Sequence, residues 1–148
     1  MLTEDSIEID APPQLVWEVF SDVEHWPEWT ASVTSLVGRD GSNLAVGKRF
    51  SIKQPGMSKL NWKVTEIDPG SSWTWVQRSP GVRVSARHWV IPQPNGRTLV
   101  RQQLDQRGVV GALVGRLMVK KTRRFLEQEA QGLKARSEQL GRANGPHS

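Results

Sequence analysis

The sequence predicts one α+β domain, in which an antiparallel sheet is covered on its apolar face by a single long C-terminal helix. Three observations carry this reading. Six short runs of period-two alternation fill the middle of the chain, each separated from the next by a glycine- or proline-bearing turn. A stretch of about thirty residues with helical spacing follows Gly108. Seven tryptophans, no tyrosine and only three phenylalanines stand in 148 residues, and so many large rings need either space around them or a partner to cover them.

Residues 6–9 alternate and form a first strand, which Ala11-Pro12-Pro13 ends because two prolines forbid a continued ladder. Leu15, Val16, Val19 and Phe20 then recur at helical spacing behind Pro13, which suits a first helical turn, so a short helix reaches about Ser21. Asp22 opens a second, shorter turn, Val23-Glu24-His25-Trp26-Pro27-Glu28-Trp29, which Pro27 keeps from being one regular helix.

The six strand-like runs are 33–38, 48–54, 59–68, 72–78, 82–92 and 97–107. Asp40-Gly41, Pro55-Gly56, Pro69-Gly70, Pro80-Gly81 and Asn95-Gly96 reverse the chain between them. In the last helix Val110, Leu113, Val114, Leu117, Lys121, Phe125, Glu129 or Ala130, Leu133, Ser137 and Leu140 mark one broad face. No repeat or linker divides the chain, so residues 1–140 are expected as one domain. The polar, glycine-containing segment 141–148 is expected as a disordered tail.

Turn positions also set which residues share a face. Leu60, Trp62, Val64, Trp73, Trp75, Val82, Val84, Ala86, Val100 and Leu104 form a mainly apolar phase, and Lys63, Arg83, Arg87, Arg101 and Arg107 fall on the other. The polar exceptions on the inward phase are Glu66, Gln77, His88 and Gln102. The same register places Glu66, Trp73, His88 and Gln102 in one cross-strand row, with His88 and Gln102 direct neighbours.

His88 is the candidate for acid, base or hydrogen-bond chemistry on a ligand oxygen. The simpler reading is a satisfied core histidine bonded to Gln102 or water. Lys121 interrupts the helix stripe and either holds an anionic ligand group or snorkels to the surface. Trp62, Trp73 and Trp75 are core or cavity wall, and Trp26 and Trp29 flank a cavity entrance.

Without cysteine there is no disulfide, cysteine–zinc site or thiol nucleophile, and three scattered histidines make no metal set. No phosphate loop, Ser-His-Asp order or paired catalytic carboxylates emerge. The formal charge is +5, and Arg116, Lys120, Lys121, Arg123 and Arg124 crowd into one segment. That segment lacks interleaved aromatic platforms, which argues against nucleic acid. No signal-peptide pattern or long apolar run is present, so a cytoplasmic protein is expected.

Taken in order, Ile9-Asp10-Ala11-Pro12-Pro13-Gln14-Leu15-Val16-Trp17, Val23-Glu24-His25-Trp26-Pro27-Glu28-Trp29, Val64-Thr65-Glu66-Ile67-Asp68-Pro69, His88-Trp89-Val90 leading to Asn95-Gly96-Arg97-Thr98, and Leu126-Glu127-Gln128-Glu129-Ala130 with Leu133-Lys134 form a recognisable series. The series resembles the polyketide cyclase/dehydrase and lipid-transport group of the START-like, or SRPBCC, superfamily, which includes the birch-pollen allergen fold. The resemblance covers nearly the whole chain. It implies a helix-grip fold, with a curved seven-stranded antiparallel sheet gripping the C-terminal helix around an apolar cavity.

The resemblance implies no particular reaction, because aromatase/cyclases, lipid and quinone carriers and hormone receptors share the fold. No catalytic residue carries over by motif, and the lack of tyrosine counts against a cyclase mechanism. The expectation is binding or transport of a small lipid, polyketide or isoprenoid-like molecule, without cofactor or metal. Trp62, Trp75, Val84, Ala86, Leu104, Leu113 and Leu117 would form walls, and His88 and Gln102 the polar end. The alternatives are a cyclase or dehydratase using His88, and a peripheral lipid or quinone carrier that places Arg116, Lys120, Arg123 and Arg124 on anionic headgroups.

Overall fold

Two prolines set the first corner. Pro12 and Pro13 end strand β1 (Leu2–Ile9) and open helix α1 (Pro13–Ser21), and a 3-10 turn over Val23–Glu28 follows. The chain then makes β2 (Ser35–Gly38), β3 (Arg49–Lys53), β4 (Leu60–Asp68), β5 (Ser72–Ser79), β6 (Val82–Pro92), β7 (Thr98–Arg107) and α2 (Gly111–Asn144). These come from a computed structural model that describes residues 1–144.

The strands form one antiparallel sheet in the order β1-β7-β6-β5-β4-β3-β2. Consecutive strands from β2 to β7 are neighbours, joined by short turns from β4 onward and by longer connections over 39–48 and 54–59. Glycines at Gly70 and Gly81 adopt positive φ in two of these turns, and Asn95 takes φ 65° beside Gly96 in a third. β1 closes the meander by pairing along its whole length with β7, from Leu2 opposite Asp105 to Ile9 opposite Thr98. Thr98 Oγ1, fully buried, donates to the Ala11 carbonyl at 2.7 Å and holds the corner after β1 against the sheet.

β1 begins four residues earlier than the sequence reading placed it. Its inward residues Thr3 and Asp5 are polar, so the apolar alternation shows only at Ile7 and Ile9. α2 likewise runs to Asn144 rather than stopping at residue 140; residues 141–144 contain no proline to end it, and Gly141 lies beside Leu15 and Ala11. The rest of the expected tail, 145–148, lies outside the described residues.

α2 lies against β1, β6 and β7, and α1 packs on both α2 and β6. The core between sheet and helices joins Ile9, Val16, Phe20, Trp26, Phe50, Val64, Trp73, Trp75, Val100 and Leu133. Trp26 is its centre. It is 1% exposed, stacks on Phe20 at 5.6 Å between ring centroids, and donates its indole N–H to the Phe20 carbonyl at 2.8 Å. The ring is thereby buried with its one polar atom satisfied.

Two close approaches decide how α2 sits. A Cβ on Gly132 would fall 1.9 Å from the Trp29 carbonyl oxygen, so only glycine lets the helix meet that turn. At the other end a Cβ on Gly115 would meet Met1 at 2.8 Å and Gln106 Oε1 at 3.0 Å. Gly111 and Gly115 therefore form the inward face of the first turns, and both are buried. This corrects the expected stripe. With glycines against the sheet, Leu113 and Leu117 turn outward and are 58% and 76% exposed.

Candidate functional site

A cavity of about 80 Å³ lies between the inner face of the sheet and the middle of α2. Trp62, Trp75, Ala86 and Leu104 line it from the strands and Trp26 from the 3-10 turn, together with Val33 and Ile52. Thr122, Phe125 and Leu126 close it from α2. Its polar lining comprises His88, Gln102, Glu129 and Thr122, with Gln54, Arg87 and Gln103; of these His88, Gln102, Glu129 and Thr122 are buried.

The strand register brings the first two together. Asp5, Gln102, His88, Trp73 and Ile67 stand in one row across β1, β7, β6, β5 and β4. Glu66 leaves this row because the register of β4 and β5 shifts between Val64 and Glu66. The bulge turns Glu66 outward, where it is exposed, and puts Ile67 opposite Trp73.

His88 is 5% exposed, and its ring stacks on Trp73 at 4.0 Å with planes 12° apart. Its Nδ1 lies 3.2 Å from the Trp73 carbonyl oxygen. A carbonyl only accepts, so the Nδ1 proton is donated there and Nε2 carries the lone pair. Burial pushes the imidazolium pKa down to about 3, against the smaller opposing effect of that hydrogen bond. His88 is therefore a neutral imidazole at physiological pH.

The bond to Trp73 also replaces the expected His88–Gln102 bond. Gln102 is 2% exposed, and neither Oε1 nor Nε2 of its amide has a hydrogen-bond partner among the described residues. Leaving such a group unpaired costs about 1–3 kcal/mol.

Glu129 reaches the cavity from α2 and is 8% exposed. Burial, reinforced by the Asp5 carboxylate, raises its pKa to about 8. It is mainly a neutral carboxylic acid at neutral pH, able to donate a hydrogen bond. Asp5 is itself shifted upward by burial and by Glu127.

Other expected site residues stand elsewhere. Trp73 and Val84 are buried in the core and do not line the cavity, because the His88 ring covers Trp73 and Val84 sits further along β6 toward the β5–β6 turn. Trp29 packs on Trp26 at 5.4 Å and against Gly132, away from the cavity lining. Lys121 is half-buried, with its ammonium 5.8 Å from the Phe125 ring and beside Gly56, and does not enter the cavity. Leu113 and Leu117 are exposed, as described above. Glu129 went unselected in the sequence although it bears the mark that drew attention to Lys121, a charged residue on an apolar stripe, here between Phe125 and Leu133.

His25 pairs with Asp22 at 2.8 Å in an exposed turn, which raises its pKa. No group of three His, Cys, Asp or Glu side chains capable of holding a metal occurs among the described residues. No described helix is long and apolar enough to cross a membrane.

A seven-stranded antiparallel sheet, two short helical segments and a long helix over a largely apolar cavity define a helix-grip fold. Residues 2–138 match the family model for polyketide cyclase / dehydrase and lipid transport, and the chain belongs to that SRPBCC-type family. Among solved structures it is similar to the Zhui aromatase/cyclase from Streptomyces sp. R1128, at 18% identity and TM-score 0.79, with 98% of each chain covered. It is also similar to a START superfamily protein from Mycobacterium smegmatis, at 20% identity and TM-score 0.70, covering 94% of this chain and 98% of that one. A hypothetical protein from Helicobacter pylori aligns at 17% identity and TM-score 0.78, over 93% of this chain and 88% of that one. Likeness at these identities establishes the fold. No curated protein sequence matches the chain.

Proposed function

We propose that this protein binds a small, largely apolar molecule bearing an oxygen function, with its apolar body against Trp62, Trp75 and Leu104 and its oxygen at Gln102. The unpartnered Gln102 amide carries this reading. The Gln102 amide faces the cavity with no protein partner among the described residues, so Nε2 is free to donate to a ligand carbonyl or hydroxyl oxygen and Oε1 to accept from a ligand hydroxyl. The family's aromatase/cyclase and START neighbours support a hydrophobic ligand of this general class.

At about 80 Å³ the cavity is smaller than the roughly 150 Å³ that accommodates benzene. Ligand entry therefore requires movement, and the half-buried Phe125 of α2 is the side chain placed to swing aside.

Calorimetric titration with 1-naphthol and naphthalene tests the proposal. Naphthol is expected to bind about tenfold more tightly, the worth of one good hydrogen bond, and Gln102→Leu is expected to abolish the difference. Equal affinity for the two compounds in the wild type, or binding of neither, would sink it.

One observation favours a second reading, an enzyme that eliminates water or cyclises. His88 and Glu129 face the same cavity with pKa values pushed apart, one a neutral base and the other a neutral acid. Glu129 would protonate a leaving hydroxyl while His88 Nε2 removes the carbon-bound proton. In this reading Glu129→Gln loses turnover and keeps ligand affinity; a variant with full turnover excludes it.

A further inference from the structure

The net charge of +5 is concentrated on one surface. Residues 109–126 contain Arg116, Lys120, Lys121, Arg123 and Arg124 and no acidic residue, and the remaining 15 basic residues balance the 15 acidic ones. Elsewhere the basic residues are interspersed with acidic ones, and several are paired, as in Arg49–Asp40, Arg101–Glu4 and Arg136–Glu28. The five on α2 make no ion pair among the described residues, and Arg116, Lys120, Arg123 and Arg124 are exposed.

Apolar side chains share the same turns. Val109, in the turn before the helix, is 97% exposed, and Leu113 and Leu117 are 58% and 76% exposed because Gly111 and Gly115 occupy the face against the sheet. Positions 113, 117, 120 and 124 follow one another at helical spacing along the outer side, so two leucines lead directly into two cations.

We propose that the N-terminal half of α2 is a docking surface for an anionic lipid bilayer. Leu113, Leu117 and Val109 enter the boundary of the acyl chains, and Arg116, Lys120, Arg123 and Arg124 meet lipid phosphates. Apolar residues on one stripe with flanking cations and no acid is the pattern that an interfacial helix needs. Charge argues against the other occupants. A second copy docked by the same face would set five unpaired cations against five more, and a nucleic acid would leave the leucines without a role. The next turns of the helix, at Thr122 and Phe125, line the cavity, so the docked edge adjoins it. The docking claim itself does not depend on what the cavity holds.

The test is co-sedimentation of the full chain with vesicles of phosphatidylcholine alone and of phosphatidylcholine mixed with phosphatidylserine, alongside its mass by analytical ultracentrifugation. The wild type is expected to pellet with the phosphatidylserine vesicles and to be released by salt. Lys120→Glu with Arg124→Glu should weaken binding by about thirty-fold or more. Leu113→Ser with Leu117→Ser should weaken it by at least about tenfold, with the melting temperature unchanged, since both leucines are exposed. No binding to phosphatidylserine vesicles overturns the proposal, as does binding that either pair of substitutions leaves unaltered. A wild-type dimer that the leucine substitutions convert to monomer also overturns it, by making the stripe a self-interface.

Discussion

Glu129→Gln should change how stability depends on pH. In the folded chain the Glu129 carboxyl titrates near 8, raised from 4.5 chiefly by burial. Between those two values the unfolded chain releases a proton that the folded chain keeps, so raising the pH favours unfolding. The penalty is absent below 4.5, grows through neutrality and is complete above about 8. At about 1.4 kcal/mol per pH unit its ceiling is about 5 kcal/mol, a large part of the 5–15 kcal/mol typical of a domain.

Glutamine has the same shape and no proton to lose. Urea unfolding of wild type and Glu129→Gln across the range from about pH 4 to pH 9 checks this. The two should be nearly equally stable at the acid end, and the variant should gain steadily toward the alkaline end by about 2–5 kcal/mol. Both should retain an acid limb below 6.5. Its source is His88, whose folded pKa is lowered to about 3, so the unfolded chain takes up a proton first as pH falls. A constant difference between the proteins across the range would refute a protonated Glu129.

Three further outcomes follow from the packing. Gly132→Ala should destabilise by about 1–3 kcal/mol, read as a lowered melting temperature, because its Cβ would press on the Trp29 carbonyl. Thr98→Val removes a buried donor from the Ala11 carbonyl and should cost about 1–3 kcal/mol in urea unfolding. Gln102→Leu should leave the fold as stable as the wild type or more so by about 1–3 kcal/mol, while losing preference for an oxygenated ligand; a marked loss of stability would mean that the amide is satisfied.

Much of the sheet was legible because its determinants are local. Pro69-Gly70, Pro80-Gly81 and Asn95-Gly96 fix three turns, and from them the pairing of Trp73 with His88 and of His88 with Gln102 follows. The bulge after Val64 left a trace that the reading passed over: Leu60, Trp62 and Val64 alternate with polar residues, but the next apolar residue is Ile67 rather than position 66, where the register slips. That slip moved Glu66 out of the cavity row.

The helix face was misread for a different reason. Periodicity weighs Leu113 and Leu117 as apolar and treats Gly111 and Gly115 as neutral. In the fold, close approach of α2 to Met1 and Gln106 makes the glycines the contacting side. Glu129 was placed on the helix stripe but not in the site, because its raised pKa depends on burial and on Asp5 of β1, which no single segment of sequence displays.

The most direct test of the ligand-cavity account is native mass spectrometry of the purified chain beside Ala86→Leu, a substitution at a cavity wall residue 7% exposed, with organic extraction of whatever leaves. The account predicts a discrete apolar, oxygen-bearing adduct on the wild type, either retained from expression or acquired on incubation with a mixture of such compounds, and its loss from the filled variant. A wild type that stays free of adduct after incubation, or an adduct that Ala86→Leu holds equally well, would contradict it.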